Sequence, residues 1–304
     1  MKKSINVQSI IHRFKFNMLN LDKIRELREV EEPAIKRIGL ELSGALVNDK
    51  LARNLIGWGT SESIYFTRLG KKKTIAALEQ VLKYRPPIIV LSKGFEKTPV
   101  DWVVEVANKF DIPVAWQNQS LSTITSTVGA YLSEFFAKEV QLHGCLVSIS
   151  NIGVLITGPS GVGKSEAVLE LIQNGHIFVS DDAVIIKQLG MNFIGRSPEI
   201  TKSLLEVRGI GLIDVKFTYG AKVMSDSAQI KLVVELVNQD LNLDRLGVDY
   251  LKEHVLEGYI DKIQIPIKKG GSIASLIETA VNTYIARQNG VKVIDILNRR
   301  ARNA

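Results

Sequence analysis

Apolar and polar positions along this chain follow two rhythms that separate it into regions. The run PPIIVLSKG (86–94), apolar at its centre and bounded by Pro and Gly, predicts a buried strand. VDWVVEVANKF (100–110) spaces Val100, Val103, Val104 and Val106 for a helix facing that strand, and IPVAW (112–116) returns to strand. An αβ alternation of this kind predicts an N-terminal mixed α/β domain. QNQSLSTITST (117–127) is polar and rich in Ser and Thr, the composition of a linker, so the boundary is set there: one domain over 1–127 and a second over 128–304. Beyond it Val128, Leu132, Phe135, Phe136 and Val140 recur at helical spacing and predict a connecting amphipathic helix.

The second domain opens with two apolar segments, CLVSIS (145–150) and VLIT (154–157), separated by the turn triplet NIG (151–153). This reads as a hairpin. With its turn near residue 152, antiparallel pairing would set His143 opposite residues 159–161. Downstream the pattern predicts a helix through SEAVLELIQN ending at Gly175, a strand IFVSDD, and strands near 184–187, 211–215 and 230–236. A last helix carries Ile277, Val281, Tyr284 and Ile285 and stops at Gly290. The fold class is α/β throughout.

Composition narrows the function without naming it. The chain has 304 residues, 45% hydrophobic and 23% charged, with a formal net charge of +7. The positive residues are scattered, with short runs only at Lys71–Lys73, Lys268–Lys269 and Arg299–Arg302, so no nucleic-acid surface is expected. His12, Arg13 and Lys15 interrupt any apolar core of an export signal, and no apolar stretch approaches the roughly 20 residues needed to span a bilayer. The expectation is a cytoplasmic protein with no membrane contact. The single Cys145 lies in an apolar run and reads as a buried, reduced strand thiol.

The chemistry is concentrated in GPSGVGKSE (158–166). Gly158, Gly163, Lys164 and Ser165 complete the pattern G-x-x-x-x-G-K-[ST], with a strand before it and a helix after it. In Gly158, Pro159, Ser160, Gly161, Val162, Gly163, Lys164 and Ser165, glycines let backbone N–H groups converge on phosphate oxygens beside a helix N-terminus. Lys164 neutralises phosphate charge and Ser165 offers a hydroxyl to Mg2+. Phosphoryl transfer from ATP also needs a carboxylate near the acceptor. Asp181 and Asp182 follow Lys164 by one helix and a turn, and adjacent strand positions point to opposite faces, so the two carboxylates take different roles unless the chain bends.

His143 is either a satisfied histidine at a strand start or a group beside the phosphates. LLEVRGIGLIDV (204–215) carries Glu206 and Arg208 beside Gly209 and Gly211; LDRLG (243–247) carries Arg245; IPIKKGGS (265–272) carries Pro266, Lys268, Lys269 and Gly270 in a basic glycine loop. Each taken singly reads as an ordinary surface loop. Two other readings compete with a protein kinase: a nucleotide-gated module that signals by conformation, and a small-molecule kinase or GTPase on the same loop. The GTPase is disfavoured because no N-K-x-D guanine-recognition motif is present.

Together, HG at 143–144, GVLITGPSGVGKSE, SDDAV (180–184), LLEVRGIGLIDV and DRLG resemble the HPr kinase/phosphorylase family in order and approximate spacing, and PPIIVLSKGF with IPVAW resembles its N-terminal domain. The resemblance covers most of the chain, and EVRGIG is its most specific element. It implies a P-loop kinase domain similar to the nucleotide domain of phosphoenolpyruvate carboxykinase. It implies ATP-dependent phosphorylation of a serine of the phosphocarrier protein HPr, and removal of that phosphate by inorganic phosphate to give pyrophosphate.

In that scheme Asp182 is base and acid in turn, Lys164 and His143 act at the phosphate, Ser165 and Glu206 hold Mg2+, and Arg245 completes the site. A homohexamer is implied as well. One departure stands out: where the family has Pro-Val-Arg-Pro-Gly-Arg, this chain reads Pro266, Ile267, Lys268, Lys269, Gly270 and Gly271. Lysine keeps charge but loses the bidentate fork of arginine, and Gly271 keeps neither, which implies a weakened phosphorylase direction.

Overall fold

The computed structural model describes residues 3–39, 41–43, 53–238, 250–267, 271–291 and 293–302. It divides into two compact units, Met1–Ala137 and Lys138–Ala304.

In the first unit, strands Asn17–Met18, Val114–Trp116, Ile89–Leu91, Leu55–Trp58 and Ile35–Lys36 lie side by side in that order. The last four run parallel, and Asn17–Met18 joins the edge antiparallel. The inner strands are apolar throughout because both faces are covered. Ile56, Trp58, Ile89, Leu91 and Val114 pack with helices Thr60–Leu69, Lys71–Leu82 and Lys97–Lys109 through Phe66, Leu78 and Val103. Their neighbours one residue away, Leu55, Ile88, Val90 and Ala115, face helices Val7–Phe14 and Leu121–Phe136 instead. The period of two is the strand pleat read directly from the core.

The expected linker is corrected here. Residues 121–136 form one helix, begun by Ser120, whose hydroxyl accepts from Thr123 N at 3.1 Å. Ile124, Val128 and Leu132 are buried in the first unit's core. The Ser/Thr-rich stretch is thus an N-cap and an exposed helix face, and the division falls at Ala137/Lys138 rather than 127/128.

The second unit is built on a nine-stranded mixed sheet with the path Ile177–Ser180, Cys145–Ile149, Ile152–Thr157, Ser227–Val237, Asn192–Arg196, Ala183–Leu189, Glu139–His143. The long strand Ser227–Val237 pairs along its second half with Gly258–Pro266, which in turn pairs with Leu251–Val255. One sheet face, with Val147, Val154, Ile156, Leu232 and Val234, is covered by helices Lys164–Gln173 and Ile273–Gln288. The other, with Leu146, Leu155 and Val233, closes on the curled remainder of the sheet through Val184, Ile186, Phe193 and Ile260.

The hairpin exists, with a different turn from the one expected. Ile152 pairs with Ile149 and Ile156 with Cys145, so the turn is Ser150–Asn151, both left-handed at φ 49° and 65°. That is the geometry two-residue hairpins favour. His143 lies outside it, on Glu139–His143, and pairs with Ala183.

Candidate active site

The phosphate loop leaves the strand Ile152–Thr157 and feeds the helix Lys164–Gln173. Gly158 passes so close to the neighbouring strand that a Cβ there would meet Leu236 O at 2.6 Å. Gly163, at φ 98°, caps the helix N-terminus. Lys164 is buried, and its Nζ donates to Gly158 O and Pro159 O, both at 3.0 Å, closing the loop on itself.

The two adjacent aspartates face different surroundings. The strand ends at Ser180, and Asp182 takes a left-handed conformation at φ 63°. Asp181 is buried. It accepts Ser165 Oγ at 3.0 Å, Cys145 Sγ at 2.8 Å and the Glu206 backbone N–H at 3.2 Å. Burial, reinforced by the adjacent Asp181 carboxylate, pushes the Cys145 thiol well up, which keeps its proton in place to donate. The Asp182 side chain is 75% exposed, and its Oδ1 lies 3.2 Å from His143 Nδ1. His143 reaches this position through its pairing with Ala183, supported by Gly144 N donating to Asp182 O at 3.0 Å. At Gly144 a side chain is excluded, because a Cβ would stand 2.6 Å from Ile156 O.

The third wall is the hairpin Leu204–Val207 and Gly211–Asp214. Its turn contains Arg208 and Gly209, which with Gly211 adopts positive φ, at 82° and 100°. Arg208 lies 3.8 Å from Glu166 and reaches over Gly161. The result is a cavity of about 150 Å³ lined by His143, Cys145, Ser160, Gly161, Gly163, Lys164, Ser165, Glu166, Asp181, Asp182, Glu206 and Arg208. Sites predicted from four separate stretches thus share one cavity.

Other expected residues fall around it. Pro266 ends the strand Gly258–Pro266, and Gly271 is exposed. After them Ser272 caps the helix Ile273–Gln288, and its Oγ donates to Glu170 Oε1 at 2.7 Å. Ile273 abuts Gly163, so this segment leads back to the phosphate loop. Arg245, Lys268, Lys269 and Gly270 lie outside the described residues. Two residues of the cavity had no role from the sequence. Cys145 read as an inert strand thiol, and only the fold could show that its sulfur faces Asp181. Glu166 sat inside the loop motif, and its partner Arg208 is distant in sequence.

Comparison with known proteins agrees along the whole length. The family model described as HPr Serine kinase N terminus matches residues 5–132, and HPr Serine kinase C-terminal domain matches 134–301. The HPr kinase/phosphorylase of Mycoplasmopsis pulmonis is 44% identical over 100% of this chain and 99% of its own. That of Clostridium perfringens strain 13 is 32% identical over 97% and 96%. A solved chain described as the Hpr(Ser) kinase/phosphatase from Coxiella burnetii is 34% identical, covering 50% of this chain and 93% of its own with a TM-score of 0.48. Matched by both family models and by full-length relatives, this chain belongs to the HPr serine kinase family.

Proposed function

We propose that this protein uses ATP to phosphorylate a serine of HPr and uses inorganic phosphate to remove it, both in the cavity around Asp182. The observation that carries this reading is the placement, in one cavity, of a phosphate loop and a solvent-open carboxylate held beside an imidazole.

In the kinase direction the serine oxygen attacks the γ-phosphorus while its proton passes to the Asp182 carboxylate. The bond to the bridging oxygen breaks and ADP departs. In the other direction an oxygen of inorganic phosphate attacks the phosphoserine phosphorus. The bond to the serine oxygen breaks, protonated Asp182 returns the proton to that oxygen, and pyrophosphate forms. Acid–base help of this kind contributes about 10²–10⁴ in rate. His143 orients Asp182 and faces the transferring group. Lys164 exchanges its two loop carbonyls for phosphate oxygens, and the N–H groups from Ser160 to Ser165 cradle them. Asp181, held from three sides, fixes the Ser165 hydroxyl. Arg208 with Gly209 and Gly211 closes the cavity, and by family resemblance Arg245 and the segment 266–270 take part in the reaction.

Four carboxylates and two permanent cations line the cavity, so bound phosphates would add to a negative excess. A divalent cation relieves it. The donors here, a hydroxyl and carboxylate oxygens, suit Mg2+, an ion that takes one or two carboxylates with phosphate and water. Ser165 and Glu206 would hold it, and it would supply positive charge to offset that of the phosphates. By the same resemblance the protein is a cytoplasmic homohexamer. Among the described residues no helix is long and apolar enough to cross a membrane.

The test is to incubate the protein with HPr and Mg-ATP, follow intact HPr mass, then add excess phosphate. The expected outcome is one added phosphoryl group, lost again with release of pyrophosphate. Tight ATP binding with no transfer would favour a nucleotide-gated module instead.

A further inference from the structure

The hairpin that carries Glu206 presents two large apolar side chains that the reaction itself does not use. Glu206 stands directly opposite Leu212 in the antiparallel pair, so the two share a face. Leu205 and Ile213, the next pair, turn into the core. Outside, Ile210 is 73% exposed and Leu212 66%. Phosphate groups have no affinity for such a surface.

We propose that Ile210 and Leu212 form the apolar footprint on which the protein acceptor seats its serine-bearing face. This rests on the function proposed above. Glu206 and Asp182 line the same cavity of about 150 Å³, and directly opposite residues have Cβ atoms only about 5 Å apart. A folded partner of ordinary affinity covers about 800 Å² on each side, equivalent to a disc of roughly 16 Å radius. Any protein that delivers a serine to Asp182 therefore covers Leu212 and its neighbour on the turn. A second copy of this chain seated there would block that approach, which is why the acceptor is the assigned occupant. Met191 provides the internal control. It is 92% exposed, beyond the far end of the strand Ala183–Leu189 that starts beside Asp182. Seven residues at about 3.4 Å each put it about 20 Å or more away, outside the disc.

The experiment compares full-length wild type, the double variant Ile210→Ser with Leu212→Ser, and Met191→Ser, in HPr phosphorylation with varied HPr and then varied ATP. The double variant is expected to raise KM for HPr about tenfold or more, with kcat and KM for ATP within about twofold of wild type, and Met191→Ser to change neither. Unchanged KM for HPr in an active double variant overturns the footprint. So does equal loss of ATP and HPr affinity, which would make the hairpin part of the phosphate site. A change in oligomeric mass without a change in KM would assign the face to a second copy. Wild type that transfers nothing to HPr contradicts the underlying function, and the footprint with it.

Discussion

Asp181 and Asp182 are neighbours with opposite environments, and the cause is one backbone torsion. Continued as strand, the pair would merely alternate faces. The left-handed turn at Asp182, closed by Ala183 N donating to Asp181 O at 2.7 Å, instead leaves one carboxylate buried among donors and the other open beside His143. A non-glycine residue there costs about 1–2 kcal/mol, offset by the pairing of Ala183 with His143. Lys164 is the other residue whose role follows from its surroundings: it is buried, and its Nζ donates to two loop carbonyls that phosphate oxygens would replace. Lys164→Ala is expected to abolish both directions, with at least about a hundredfold loss in kcat/KM, measured as HPr mass change; retention of either direction would contradict the role. The sequence made the loop and the aspartate pair legible because both are short local patterns. It put His143 in the right neighbourhood by the wrong route, since the pairing of residues 143 and 183 spans forty positions and leaves no local trace.

Among elements, the helix Lys164–Gln173 matters most, because the phosphate loop is its N-terminal extension. Its far end is tied to the helix Ile273–Gln288: Asn174 Nδ2 donates to Glu278 Oε1 at 3.0 Å, and His176 Nε2 lies 2.8 Å from the same oxygen. The Asn174 hydrogen bond first, and His176 after it, hold the Glu278 carboxyl below its ordinary value. A carboxyl lowered in the folded state stabilises above its unfolded pKa, and the gain is lost as pH falls through the lowered value. Glu278→Gln should therefore lower Tm at neutral pH by a few degrees, about 1 kcal/mol or less. The difference should shrink as pH falls through the lowered value, where the wild-type carboxyl becomes uncharged like the Gln. A constant difference across that range would contradict the account. The helices and most strands were legible from apolar period. Helix 121–136 was half missed, since its hydroxyl-rich first turns look like linker when the buried positions Ile124, Val128 and Leu132 are not weighed together.

For the whole molecule, the two units carry different burdens. The loop, the aspartates and His143 all belong to Lys138–Ala304. The three tryptophans, Trp58, Trp102 and Trp116, all belong to Met1–Ala137, so indole fluorescence reports on that unit alone. Leu132 is fully buried there, and Leu132→Ala should cost about 2–5 kcal/mol. The expected reading is a fluorescence unfolding midpoint moved clearly to lower denaturant; an unmoved midpoint would return this helix to the linker that its composition suggests. Central to the proposed function is that one carboxylate, Asp182, serves both directions of phosphoryl transfer. The most direct measurement is Asp182→Asn in the full-length protein, with ATP-driven phosphorylation of HPr, phosphate-driven release of pyrophosphate and ATP binding followed in parallel. The account predicts that both directions fall together, by about 10²–10⁴, while ATP binding is kept. Loss of one direction with survival of the other would contradict it.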